Sequence, residues 1–332
     1  MFGAELYELL NFFKQVGLAL SGASCFWGSA FLFKSYAAQR QGNAESGLIF
    51  ESVARKLMCT FSIGFIVAFA GWFALWQIVP AFAHEGIRIV PTGVQSQNAF
   101  SLTLPVYIFW IGLTAIFLIK NLISTVSINS LKIFFIAQFL IVFGLISLYS
   151  WTGDVLGREQ IFFYFHGFHS IFTLGTVLVL DFMFISAEKS LTLKRHIFPM
   201  APLISKVIFV GLGLDFLSVT LIFGEAVDFS VRFFVAQTIV GILIINGVIL
   251  SGPITRKMLS ALETGTGKMP AKWNTIANIC GTISIISWIS ITFIDFFENL
   301  TLGYSVIMTV YFSLIVVAFT LHAVFEKYFL RE

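Results

Sequence analysis

Long unbroken apolar runs separated by short polar stretches set the pattern of this chain. Nine such runs cover roughly residues 10–33, 57–81, 101–119, 133–151, 162–187, 204–224, 231–251, 274–295 and 302–325. Each reaches the length of about 20 residues that a helix needs to cross the hydrocarbon of a bilayer. The runs are continuous and show no inside–outside alternation, so they predict helices rather than barrel strands. A helix satisfies its own backbone hydrogen bonds in lipid, where no water can do so. The expected fold is all-α: a polytopic membrane bundle of about nine transmembrane helices. The segments 34–56 and 252–273 read as the longest loops on one side, and 82–100 as the longest on the other.

The basic residues orient this map. Of the 20 Lys and Arg residues, 16 follow odd-numbered spans: Lys34, Arg40, Arg55, Lys56, Lys120, Lys132, Lys189, Lys194, Arg195, Lys206, Arg256, Lys257, Lys268, Lys272, Lys327 and Arg331. The other side holds Lys14, Arg88, Arg158 and Arg232. Lys and Arg collect on the cytoplasmic side of a membrane. The expected topology therefore has the N-terminus outside and the C-terminus inside. The first span opens with Glu5 and Glu8 where a cleavable signal would carry positive charge, so it is read as retained.

Composition agrees with this picture. Hydrophobic residues make up 58% of the chain and charged residues 11%, against about a quarter charged in a soluble domain. A disulfide scaffold, a disordered tail and a nucleic-acid-binding domain are excluded. Cys25, Cys59 and Cys280 all lie in apolar runs, and no two form a CxxC pair. The expected setting is a bacterial cytoplasmic (inner) membrane, with the bilayer as the main partner. Further membrane subunits or a second copy of the chain are the other expected partners.

Internal similarity suggests a duplication. GASCFWGSAFLFKS (22–35) at the end of the first span resembles GTVLVLDFMFISAEKS (175–190) at the end of the fifth. IFLIKNLIS (116–124) likewise resembles ILIINGVILS (242–251), which sets Asn121 against Asn246. The expected organisation is two four-helix units of like orientation, residues 1–155 and 156–298, followed by an extra C-terminal helix at 299–332. Units of an even number of spans point the same way, as parallel repeats do.

Ionisable residues at membrane depth are costly and mark function. Asp181 lies in VLVLDFMFIS on the fifth span, and Asp215 lies in GLGLDFLSV on the sixth. Counted from the cytoplasmic ends, with Lys206 opening the sixth span, their depths are roughly 10 and 14 Å. Neighbouring antiparallel helices would bring these carboxylates near each other, and two adjacent carboxylates do not both ionise easily. That pairing suits a proton-coupled carrier or a cation site. The structural alternative is that each Asp hydrogen-bonds to a neighbouring helix or to Lys206.

A second constellation is FYFHGFHSIF, in which His166 and His169 are three apart and share a helix face. The outer loops add His84, Glu85, Asp154 and Glu159. Imidazole is a common ligand of copper, zinc and haem iron, and carboxylates complete divalent sites. Interfacial histidines also simply meet water and headgroups. His196 falls in a basic KRH loop, and His322 lies near the cytoplasmic end of the last span. No span carries two His about 14 residues apart, which disfavours a two-haem cytochrome. HExxH, GxSxG, CxxCH and Walker patterns are absent, and TGTGK at 264–268 lacks the first glycine of a phosphate loop.

The stretch HGFHSIFTLGTVLVLDFMFISAEKS (166–190) resembles the opening helix of the copper-resistance D (CopD) family and of the HemJ-type protoporphyrinogen oxidases. Helices of those families begin with His at the outer end, pass a Gly-containing middle and finish in aliphatic and aromatic residues. The resemblance implies that His166 or His169 ligates copper or haem. In the first repeat, Phe13 or Val16 stands at the corresponding place, and Leu174-Gly175-Thr176 replaces the aromatic-Gly-Gly core of the CopD helices.

Three functions follow as expectations. The first is movement of a small solute or cation, including a metal, coupled at Asp181, Asp215 and Lys206. The second is a redox protein holding haem b or a copper or other divalent ion at His166, His169 and His84. The third is a non-catalytic subunit or assembly factor of a membrane complex. Asn121, Asn246 and His322 are secondary polar positions at membrane depth.

Overall fold

The computed structural model describes residues 2–84, 97–123, 126–151, 168–187, 190–223, 230–265, 269–296 and 302–329. Among them the chain is helical, with no strand. Among the described residues eight helices are long and apolar enough to cross a membrane, and a shorter apolar helix covers Phe168–Phe184. This is the make-up of a multi-pass integral membrane protein. In chain order the α-helices are α1 (Phe2–Arg40), α2 (Ala44–His84), α3 (Gln97–Ile123), α4 (Ile128–Trp151), α5 (Thr176–Ala187), α6 (Leu191–Ile197), α7 (Ala201–Phe223), α8 (Val231–Ile249), α9 (Thr255–Glu263), α10 (Ala271–Phe296) and α11 (Tyr304–Phe329).

The chain forms two compact units. The first comprises Met1–Phe182 and Val207–Glu225, and the second comprises Met183–Lys206 and Ala226–Glu332.

The first unit is built on the antiparallel pair α1 and α2. Residues 34–56, expected as a loop, are instead helical except for a three-residue turn. The turn is punctuated as helix chemistry dictates. Gly42 takes a left-handed φ of +79°, and the Asn43 amide returns to the Ala38 carbonyl at 2.9 Å. The Asn43 side chain then caps α2 by accepting from the Ser46 amide at 3.1 Å. The polar residues that suggested a loop are the solvated faces of two helices, with an Arg55–Glu51 pair one turn apart within α2.

Small residues let the two backbones approach. A Cβ added at Gly17 would lie 2.3 Å from the Ala68 nitrogen, and one at Gly64 would lie 2.7 Å from the Ser21 nitrogen. Further along, one at Gly71 would meet the Leu10 carbonyl at 2.9 Å. Close approach of this kind replaces the hydrophobic effect as the packing force within lipid. The other faces of α1 receive α4, where Gly28 lies under the Phe135 ring, and the turn preceding α5. Two-thirds of the α1 apolar window is buried, against 44% for α2, 22% for α3 and 39% for α4, so α1 is the inner helix of its unit.

On α2, Phe65, Phe69, Trp72 and Trp76 form a continuous aromatic ladder. Tyr107 and Trp110 of α3 join it, with Tyr107 stacked on Trp72 at 4.3 Å. The Trp110 indole donates to Gln138 of α4, which donates in turn to Thr114 at 3.2 Å.

In the second unit α8, α10 and α11 pack on one another. Asn246 donates to the Cys280 carbonyl at 2.9 Å, and Ser287 shares a 2.8 Å hydrogen bond with the Tyr311 hydroxyl. Residues 252–273, also expected as a loop, hold a π-helical turn (Leu250–Ile254) and the amphipathic α9. The KRH segment is likewise helical. Ser190 caps α6 by accepting from the Leu193 amide, and His196 bonds the Thr192 carbonyl at 2.8 Å. A 3₁₀ turn (Phe198–Met200) continues α6 into α7. Outward apolar stripes complete the picture. Val310, Leu314, Val317 and Leu321 share one exposed face of α11, the arrangement a lipid-facing helix requires.

Candidate functional site

One group of buried polar residues in the first unit lies between α1 and the helical segment that ends in α5. That segment does not run as a regular α-helix. Residues Ile171–Gly175 form a π-helical turn, in which hydrogen bonds close five residues apart. Such turns recur at functional sites and insert one extra residue into the helix. Here α1 holds it at several points. A Cβ on Gly175 would lie 2.2 Å from the Ala19 carbonyl oxygen, so α1 presses directly on the turn. Thr176 donates its hydroxyl to the Ile171 carbonyl at 3.1 Å and accepts from the Trp27 indole at 3.1 Å. Before the turn, Gln15 donates to the Ser170 hydroxyl at 3.2 Å, and Thr173 donates to the His169 carbonyl at 2.7 Å. The second unit uses the same device, since Thr255 donates to the Leu250 carbonyl across its own π turn. There Pro253, which has no amide hydrogen, supplies the cause.

Asp181 sits five residues beyond Thr176, on α5. Its Oδ2 is buried and has no hydrogen-bond partner among the described residues. Buried polar atoms are nearly always paired, and a carboxylate oxygen is more costly to leave orphaned than the Ser21 hydroxyl or the Trp72 indole nitrogen, the neutral groups also without a partner among the described residues of this unit. It can accept a proton, or contribute one oxygen to a cation.

The other expected residues fall as follows. Asp215 lies on α7, but its side chain is outside the described residues, and so is the expected pairing with Asp181. Lys206 is exposed. His169 is buried, directly before the π turn. His166 is outside the described residues. His84 and His322 are in helices, but their side chains are not described, nor is that of Asn121. Asn246 is buried and spent on the clamp to α10. Among the described residues no three His, Cys, Asp or Glu side chains group as a metal site.

Two features escaped the sequence. Lys14, counted there as an outer charge, is buried at 2% exposure beside the Gly71 backbone. Its position four residues inside the first apolar run was the available signal. The serines of α1 are also interior. Ser24 donates to the Leu20 carbonyl and bonds Thr60 at 2.9 Å, while the Ser21 hydroxyl is buried with no partner among the described residues.

Comparison with known proteins gave no match: no family model, no curated protein and no solved structure is similar to this chain.

Proposed function

We propose that this multi-pass membrane protein moves a small solute or cation across the bilayer, with Asp181 as the coupling carboxylate. The observation that carries the reading is the buried, unpartnered Oδ2 of Asp181 on an otherwise apolar helix that starts from a clamped π turn. A buried carboxylate oxygen left without a partner is unfavourable by about 1–3 kcal/mol or more, an expense a purely structural residue has no reason to carry. Nine spans, an outer N-terminus and a parallel 4+4 duplication with one further helix complete the proposed architecture. Asp215, on α7, is the second carboxylate of the proposed site. The test is flux in proteoliposomes. A pH-sensitive dye inside vesicles follows proton movement driven by an imposed potential and by graded solute mixtures. Asp181→Asn should abolish flux and leave the elution profile and helical content of the protein unchanged. Undiminished flux through Asp181→Asn removes the residue from the mechanism.

A second reading, a haem- or metal-binding redox protein, is supported by the burial of His169 at the π turn and by the CopD/HemJ-like stretch. Its test is a visible spectrum with metal analysis on the purified protein. A Soret band lost in His169→Ala supports it, and a featureless spectrum on metal-free protein ends it.

A further inference from the structure

Where α1 leaves its apolar stretch, Phe33, Tyr36 and Arg40 follow one another at three- and four-residue spacing and share a face. Both rings are exposed, Phe33 at 54% and Tyr36 at 48%. Lys132, from the first turns of α4, sets its Nζ 5.1 Å from the centroid of each ring. The Arg40 guanidinium lies 5.1 Å from the Tyr36 centroid. Two cations thus converge on one tyrosine ring. Lys34, next to Phe33 in the chain, sits over the Phe50 ring at 5.8 Å.

These cations have no carboxylate partner among the described residues. Glu51 is taken by Arg55 at 2.6 Å, and Glu45 is exposed in the first turn of α2. Exposed aromatic rings beside basic residues mark the membrane–water interface. The α4 surface below Lys132 is apolar and open. Ile136 and Leu140 follow Lys132 at four-residue intervals, 39% and 61% exposed, and Ile133 beside them is 68% exposed. A cationic head over an open apolar track has the complementary shape of an anionic amphiphile.

We infer that Lys132 and Arg40, with Tyr36 between them, hold the phosphate of an anionic phospholipid whose acyl chains lie along Ile136 and Leu140. A soluble phosphate shares the headgroup chemistry but gains nothing from the apolar track. A neutral zwitterionic lipid shares the track but gains little from two unpaired cations.

Native mass spectrometry of the full chain, released from detergent micelles, tests this. Equal amounts of phosphatidylglycerol and phosphatidylcholine with identical acyl chains are supplied together. Phosphatidylglycerol should be retained in preference, by about fivefold for each basic residue engaged. Lys132→Gln combined with Arg40→Gln should remove the preference, and Lys132→Arg should keep it. Removing two exposed charges elsewhere, Arg256→Gln with Lys257→Gln, should leave it intact and so exclude a general charge effect. Excess glycerol phosphate should not displace the lipid. Equal retention of the two lipids would overturn the site, as would a preference that survives the double variant or is lost equally in the Arg256/Lys257 control. Displacement by glycerol phosphate would make the ligand a soluble anion and overturn the lipid assignment.

Discussion

Replacing Gly17 by alanine adds one methyl group where the α1–α2 pair has no room for it. The new carbon would lie 2.3 Å from the Ala68 nitrogen, 2.6 Å from the Gly64 oxygen and 2.7 Å from the Ala68 Cα. All three are backbone atoms of α2, so no side chain can rotate away. Ordinary contact needs about 3.5 Å, which obliges the helices to part by about 1 Å. That movement stretches the 2.9 Å Ser24–Thr60 bond past useful length, and it opens the Gly64–Ser21 contact four residues on. Overpacking costs about 1–3 kcal/mol, and a lost interhelical bond in lipid costs about 1 kcal/mol more. The thermal midpoint of the first unit should then fall by roughly 5–10 °C. The cysteines report each unit separately, because Cys25 is buried in the first and Cys280 in the second. Purified protein in detergent is heated, alkylated and read by mass spectrometry at each cysteine. Cys25 should become reactive at lower temperature in Gly17→Ala. Gly112→Ala is the control, since nothing lies within 4 Å of a Cβ there. A Cys25 profile that is the same in both variants would refute close backbone packing as the basis of this unit.

The same assay reads two polar clamps. Gln138→Leu keeps the bulk but removes the bonds to Trp110 and Thr114; it should destabilise the first unit by about 1–2 kcal/mol, visible as earlier labelling of Cys25. Asn246→Leu removes the bond to the Cys280 carbonyl; it should expose Cys280 earlier by up to about 2 kcal/mol and leave the Cys25 profile unchanged. A reporter fused at Glu332 should read as cytoplasmic if the proposed nine-span topology holds, since that topology puts 16 of the 20 basic residues on the side of the C-terminus. A periplasmic signal there would add or remove a span.

The apolar helices were legible because lipid imposes a composition on every turn of a crossing helix, as the run 231–251 shows, with Arg232 its one charged residue. Their ends were not. Outside the hydrocarbon a helix carries the residues that a loop also carries, and Gln39, Arg40, Glu51 and Arg55 look alike in both settings. The turn itself was written in Gly42 and Asn43, a C-terminal glycine followed by an N-cap asparagine, yet that signature stands out only once helix is expected on both sides. Asp181 was readable from its neighbours, since any charge in VLVLDFMFIS is out of place. What made it unusual, an oxygen without a partner, depends on what the fold puts around it. Lys14 misled because a cation near the edge of an apolar run reads as an anchor at the interface, whereas its burial depends on the glycine that α2 places beside it. The π turn before α5 had no local mark: Gly175 is one of 26 glycines in the chain, and only the Ala19 carbonyl pressed against it sets it apart.

The continuity of α1 and α2 around Gly42 has a mechanical consequence. Two helices locked backbone to backbone, meeting in a turn of three residues, make a stiff strut rather than a tether. From Gly42 to Thr60 is 18 residues of helix and turn, or about 27 Å of lever arm. A protein or antibody fragment gripping the exposed tip at Gln41–Asn43 would press on the Ser24–Thr60 bond and, through α1, on the π turn behind Ala19. Forces applied in the aqueous phase would thus reach the most tightly clamped polar segment of the unit without any ligand entering it.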